Sequence, residues 1–171
     1  LATELALRNR EWVEGNLLKV AQFTRPTLIA HICNDVGAWG SGFVVRLGEI
    51  IPAARSAYRA QGRLFGAWQL GSVIYAGDHP LLVANMVAQH GIDSARFVDG
   101  AALLACLKNV AQIAAGGGLD IVMPRIGTGL GRARWEDIEP LVRSGLGALD
   151  PLTVITIYCL PGVNSTPPSW R

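Results

Sequence analysis

Thr27-Leu28-Ile29-Ala30-His31-Ile32-Cys33 is followed at once by Asn34-Asp35-Val36-Gly37-Ala38-Trp39-Gly40-Ser41-Gly42. The first half of this stretch is a nearly unbroken apolar run, as in an interior strand covered on both faces. Its second half is rich in glycine. Without a Cβ, main-chain N–H groups there turn toward one point and approach a ligand closely. The pattern recurs late in the chain. Asp120-Ile121-Val122-Met123-Pro124, then Arg125-Ile126, leads into Gly127-Thr128-Gly129-Leu130-Gly131. Successive inward N–H groups, above all where a helix begins, cradle an anion without a basic side chain. Two such loops facing each other would hold a diphosphate from both sides.

Working outward, further strand-like runs lie near Trp12–Leu18, Gly71–Ala76, Leu81–Ala88, Leu119–Met123 and Leu152–Tyr158. Helical periodicity fills the intervals. Over Asp99–Ala115, Leu103, Leu107, Val110 and Ala114 share one stripe, with Asp99 as N-cap and Gly116-Gly117-Gly118 as the stop. Over Trp135–Leu146, Trp135, Ile138, Val142 and Leu146 share a face, which puts Pro140 in the early turns or at a kink. Phe43–Ile50 and Ala53–Gln61 predict two short helices parted by Pro52. This alternation predicts an α/β sandwich around a mostly parallel or mixed sheet, with ligands bound beyond the carboxyl ends of strands. The glycine spacing is not GxGxxG and no P-loop lysine is present, which disfavours the usual nucleotide folds.

Composition narrows the class. A length of 171 residues reads as one domain over residues 1–160, followed by an irregular tail, Pro161–Arg171, with three prolines. Half the chain is hydrophobic and 16% is charged, as in a well-packed globular domain. The net charge of +2 argues against a broad electrostatic nucleic-acid surface, though not against one modified nucleotide read in a pocket. Cys33, Cys106 and Cys159 are far apart, inside apolar runs and without metal-like spacing. A reduced, cytoplasmic protein is expected, and no apolar stretch is long enough to span a membrane. The first residues, LATELALRNREW, lack a signal-peptide hydrophobic region.

Several polar residues sit where chemistry is possible. Asn34 and Asp35 end a strand and open the first loop; they either bond ribose hydroxyls and position a water, or turn back on their own backbone. Trp39 either lids a pocket or packs on the helix that follows. Asn85 and Gln89 face the cleft or satisfy neighbouring backbone. His90 and His31 have no assignable acid partner in the sequence and read as surface or core histidines. Arg125 neutralises a phosphate or pins the loop through a carboxylate, and pinning is the favoured role. Tyr158 stacks on a base or packs in the core.

Five stretches together resemble the macrodomain family, whose ADP-ribose-binding fold is a three-layer α/β/α sandwich with a mixed central sheet. They are Val13-Glu14-Gly15-Asn16-Leu17, HICNDVGAWGSGF from His31, Pro52 with Tyr58, VANMVAQHG from Val83, and MPRIGTGLGRARWEDIEPLV from Met123. The last resembles the branch that includes the terminal ADP-ribose protein glycohydrolase and the macrodomain antitoxins that reverse DNA ADP-ribosylation. The first loop is also similar to that of ADP-ribose-1″-phosphate phosphatases. The resemblance implies that Asn16, Leu17 and Tyr158 meet adenine. It places Trp39, Gly40, Ser41 and Gly42 at the distal ribose and diphosphate, and Ile126, Gly127, Thr128, Gly129, Leu130 and Gly131 around the diphosphate.

The branch's catalytic lysine falls here on Ala88 or Gln89, and its loop aspartate on Gly131, so a lysine-adduct mechanism is unavailable. Asn34 and Gln89 are expected to orient the distal ribose and its water, with Asp35 a weaker candidate base. The expected activity is metal-independent ADP-ribosyl hydrolysis without a cofactor, by a monomer. The expected partners are ADP-ribose and ADP-ribosylated protein or DNA, with no membrane. The rivals are a 1″-phosphate phosphatase and a reader that binds without turnover.

Overall fold

The computed structural model describes residues 10–18 and 23–160; the tail expected over 161–171 and most of the amino-terminal stretch lie outside them. One sheet contains β1 (Arg10–Glu14), β2 (Thr27–Asn34), β3 (Val73–Asp78), β4 (Leu81–His90), β5 (Phe97–Val98), β6 (Asp120–Pro124) and β7 (Ile155–Cys159). Its order is β1-β7-β6-β2-β4-β3, with β5 paired to β4. Pairing is parallel from β1 through to β4, while β3 and β5 run antiparallel to β4. The sheet is mixed, as predicted. Its parallel strands all present their carboxyl ends at one edge.

Helices α1 (Phe43–Ile50) and α2 (Pro52–Phe65) cover one face, and α3 (Gly100–Gly117) and α4 (Trp135–Leu146) cover the other. Side-chain alternation serves both layers at once. On β2, Leu28 and Ala30 enter the core beneath α3 and α4, while Ile29 and Cys33 enter the core beneath α1 and α2. The Asp99 carboxylate accepts the Ala102 N–H at 2.8 Å, and Gly118 closes α3 at a left-handed φ of 62°. Pro52 is itself the first residue of α2, where its missing N–H costs no helical bond, and the helix runs past Gln61 to Phe65. Pro140 sits in the second turn of α4.

Several boundaries differ from the sequence expectation. Strands β3 and β6 are displaced by one or two residues, and β7 starts at Ile155 and not Leu152. Two other differences have a visible cause. Strand β1 ends at Glu14, because Asn16 Oδ1 accepts the Leu18 N–H at 3.0 Å and bends the chain away. Strand β4 continues to His90, and its end pairs with β5, a two-residue strand too short to announce itself by pattern.

His31 is almost wholly buried, 1% exposed, under α1 and α2. Its register partner Asn85 donates an amide N–H to Ala54 O at 3.0 Å, which turns Asn85 Oδ1 toward His31 Nε2 at 2.6 Å. An amide oxygen only accepts, so Nε2 carries the hydrogen. Nδ1 is left as the acceptor, with Cys33 Sγ 3.9 Å away. Burial pushes the His31 pKa down to about 4, with the Asn85 bond opposing it.

A histidine in the unfolded chain titrates near 6.5, so between that value and about 4 the unfolded state binds the extra proton. The stability from this site is full above the unfolded value and is lost as pH falls toward the folded one. Denaturant unfolding at pH 7 and pH 4 should show a loss of about 3 kcal/mol from this group. His31→Gln, whose side chain does not titrate, should be less stable at pH 7 yet lose less on acidification. Equal losses in the two proteins would remove His31 as the source.

Candidate functional site

The carboxyl edge of the parallel strands opens into a cleft of about 980 Å³, at the upper end of the range for cofactor-sized ligands. It runs from Asn16 and Tyr158, at the ends of β1 and β7, past both glycine loops, to Asn34 and Gln89 at the ends of β2 and β4. Arg46, Arg96 and Arg125 line it, and among the described residues no Asp or Glu does. A concave site lined by cations and free of carboxylates concentrates anions.

The first loop is held by Asn34. Its Oδ1 accepts the N–H groups of Val36 (3.1 Å) and Ala38 (3.0 Å), and its Nδ2 donates to Ala38 O at 2.8 Å. Tyr58, fully buried on α2, donates its hydroxyl to Asn34 O at 2.6 Å and to Asn34 Oδ1 at 3.0 Å. Most of the Asn34 amide is therefore spent on the turn. Gly37 takes φ +79° against the Trp68 ring, where any Cβ would collide. Beyond it, Gly42 (φ 77°) begins α1 with no side-chain cap. The N–H groups of Gly40 to Val44 have no protein acceptor among the described residues and belong to the cleft wall.

Of the two places open to Trp39, lid or packed ring, the structure has the second. The ring does not line the cleft but is buried beneath the loop, edge-on to His31 at 5.7 Å and tilted against Tyr58 at 5.3 Å. Gly48 leaves room for it, since a Cβ there would lie 2.7 Å from Trp39 Nε1. Its area is worth more in the core than as a lid.

The second loop folds on itself. Ala133 N–H bonds Gly127 O at 2.9 Å, Arg132 N–H bonds Gly129 O at 3.0 Å, and Thr128 Oγ1 donates to Arg125 O at 2.8 Å. Gly127 adopts φ +77°, and a Cβ on Gly131 would come within 2.8 Å of Gly127 O. A Cβ on Gly129 meets nothing within 4 Å, so that position faces open space. The N–H groups of Ile126 to Gly131 have no acceptor among the described residues. Arg125 is held over the rings of Trp12 and Trp135, at 5.9 and 5.8 Å. The two loops approach each other where a Cβ on Gly42 would lie 2.9 Å from Leu130 Cδ1.

At the far end, the β2–β4 register shifts between Cys33 and Asn34, pairing Asn34 with Gln89 rather than Ala88. The shift places two amides side by side on the cleft. Gln89 Nε2 donates to Gly91 O at 2.8 Å, which leaves Oε1 for a ligand or water. Asp35 does not line the cleft; both its oxygens are engaged by His90 and Gly91. The acid partner that the sequence did not supply for His90 is thus Asp35. At the opposite end Tyr158 is half-buried, and its pKa is raised by burial.

The residues singled out by sequence at Asn16, Leu17, Asn34, Gly40 to Gly42, Gln89, Ile126 to Gly131 and Tyr158 are brought to one cleft. Sequence reasoning missed Arg46, Ile92 and Arg96, which also line it. Ile92 and Arg96 belong to a segment with neither periodicity nor motif, so no local signal marked them.

No protein-family model matches the chain. Over 80 residues it is 32% identical to an ADP-ribose 1″-phosphate phosphatase of Candida glabrata; the match covers 44% of each, so the chain spans less than half of that relative. A solved Bacteroides thetaiotaomicron protein is similar at 33% identity and TM-score 0.79, over 88% of this chain and 98% of that one. Thermosipho africanus DarTG in complex with ADP-ribose shares the fold at 18% identity and TM-score 0.72, over 94% of this chain and 43% of that one. A macrodomain protein of Streptomyces coelicolor is 32% identical at TM-score 0.73, over 87% of this chain and 97% of that one. With that identity across nearly the whole of the Streptomyces protein, the chain belongs to the macrodomain family.

Proposed function

We propose that this macrodomain binds ADP-ribose in the cleft and removes it hydrolytically from modified targets, either acidic protein side chains or nucleobases of DNA. The observation that carries this reading is the pair of N–H-lined loops meeting across a cleft that arginines line and carboxylates do not. The diphosphate lies between the loops, the adenine against Tyr158 and Asn16, and the distal ribose beside Asn34 and Gln89. Asn16 Oδ1 already serves the Leu18 N–H, so the Asn16 amide group is the part left to donate to a ring nitrogen.

In the hydrolysis, water adds to the anomeric carbon while the bond from that carbon to the acceptor breaks. The acceptor leaves with the electron pair and regains a proton. Among the described residues no carboxylate lines the cleft, and His31 is held neutral by burial, so the part of these residues is orientation and charge stabilisation. Gln89 Oε1 accepts from the attacking water, and the Asn34 amide keeps the first loop in place around the ribose. The match to the Candida glabrata phosphatase supports a second reading, release of phosphate from ADP-ribose-1″-phosphate.

A panel of ADP-ribose linked to glutamate, serine, thymidine and guanosine, with the 1″-phosphate included, separates these readings. Release of ADP-ribose from a linkage supports the hydrolase. Phosphate release alone supports the phosphatase, and binding without any turnover supports a reader.

Free ADP-ribose should raise the melting temperature, because a ligand bound only by the folded state stabilises it. Gly129→Val should fold normally, since its Cβ meets no protein atom, and should abolish that rise by filling the diphosphate space. A rise equal to wild type would remove the second loop from the site.

Gln89→Ala should lower single-turnover release by about a hundredfold to a thousandfold, typical for one well-placed polar group, while adenine-end affinity is kept. Asn34→Ala should lower turnover by a similar factor and also weaken ADP-ribose binding, because the loop loses its anchor. Wild-type rates in both variants would overturn the assignment.

No group of three or more His, Cys, Asp or Glu among the described residues is placed to hold a metal. The three cysteines are buried, and burial pushes the Cys106 thiol up to about 12. Turnover should therefore survive both a chelator and a thiol-blocking reagent applied to the native protein. Loss with chelator, restored by a divalent ion, would overturn the metal-free route.

A further inference from the structure

Asp35 follows Asn34 at the end of β2, and its carboxylate turns away from the cleft toward the end of β4. Oδ1 accepts the Gly91 N–H at 2.8 Å, and Oδ2 is 2.7 Å from His90 Nδ1. A carboxylate only accepts, so Nδ1 carries the hydrogen. The Asp35 N–H in turn bonds Gln89 O at 3.0 Å. One residue thus holds three consecutive residues, the last two of β4 and the glycine that follows it. Its side chain is only 14% exposed, against 53% for His90. Burial works against ionisation of Asp35, but the Gly91 N–H and His90 outweigh it and hold the carboxyl below its usual value.

The segment that leaves this clamp forms the distal rim of the cleft. Gly91 turns at φ +65°, and Gln89 Nε2 bonds back to Gly91 O at 2.8 Å. Arg96 Nη1 reaches across the same turn to Ile92 O at 2.9 Å, and both Ile92 and Arg96 line the cleft. The His90 ring leans on Phe97 of β5, with centroids 5.3 Å apart. The amide of Gln89 and the guanidinium of Arg96 are therefore supported by a carboxylate that lies outside the cleft.

We propose that Asp35 is a positioning residue: through the His90 Nδ1–H and the Gly91 N–H it fixes Gln89 and the Ile92–Arg96 rim. By doing so it sets the affinity for the part of the ligand beyond the diphosphate. The choice of ligand rests on the ADP-ribose reading above; the clamp itself does not.

His90→Asn and His90→Gln separate this role from others. The asparagine amide nitrogen stands where Nδ1 stood and can still donate to Asp35, whereas the glutamine amide stands where Nε2 stood. Both are compared with Asp35→Ala and wild type by amide hydrogen exchange over residues 89–96 in the ligand-free protein. Affinities for ADP-ribose and for ADP, which keeps the diphosphate and lacks only the distal ribose, are measured alongside.

A lost hydrogen bond to a charged group corresponds to about a tenfold change or more. Asp35→Ala and His90→Gln should speed exchange from Gly91 to Arg96 and weaken ADP-ribose binding by about that factor, with ADP affinity unchanged. His90→Asn should behave as wild type in all three measurements. Wild-type behaviour of His90→Gln would overturn the proposal, as would equal damage in His90→Asn, or ADP affinity falling in step with ADP-ribose. If wild type binds neither nucleotide, the ADP-ribose reading fails, and exchange alone then decides the clamp.

Discussion

Strand β2 is hydrogen-bonded to β6 on one side and to β4 on the other, and all three run in the same direction. Because parallel strands share their polarity, every loop that follows them is delivered to one edge. The opposite edge is fastened. Asp120 at the start of β6 accepts from the Arg25 guanidinium just ahead of β2, at 2.8 Å, and from the Val154 N–H just ahead of β7, at 3.0 Å. With the amino-terminal edge tied by a partly buried ion pair, the carboxyl edge is left to glycine loops, which contribute main chain in place of side chains. The register shift at the end of β4 then decides which residues meet there.

Among the described residues no carboxylate lines the cleft to compete with an anion. Glu49, outside the lining, pairs at 2.7 Å with Arg46, which is part of it, and Asp35 is turned to His90. The polar side chains that do enter the cleft are largely committed to the protein itself: Asn16 to Leu18, Asn34 to Ala38 and Tyr58, Thr128 to Arg125. Among the described residues the backbone N–H groups of Gly40 to Val44 and of Ile126 to Gly131 have no acceptor, and beside them Gln89 Oε1 is also left over. A site built this way is rigid before the ligand arrives, and little ordering entropy is left to lose on binding.

Periodicity made the strands and helices legible because it is local: Asp99 and Gly118 cap α3 within a turn of the residues they serve. The glycine loops were legible for the same reason, and so was their place after strands. Trp39 was ambiguous because a sequence tells that an aromatic ring is present in a loop but not which way it points. Here the space over Gly48, on a helix that follows, settled its direction. Asp35 and His90 lie 55 residues apart and meet only through the β2–β4 register, which a one-residue shift alters. Arg96 depends on that register as well, since it leaves the same strand end. The fold is encoded mainly in local periods, and the fine structure of the cleft in non-local pairings.

The roof over the cleft closes through one leucine. Leu130 reaches from the second loop to the backbone of Gly42 on the first, and it is 42% exposed. The contact itself is apolar, a leucine methyl against the Gly42 main chain. Rotation of an exposed side chain takes picoseconds to nanoseconds, whereas rearranging a hydrogen-bonded loop takes far longer. The two loops thus touch through an exposed side chain, and that contact parts by a change of rotamer without any rearrangement of the main chain.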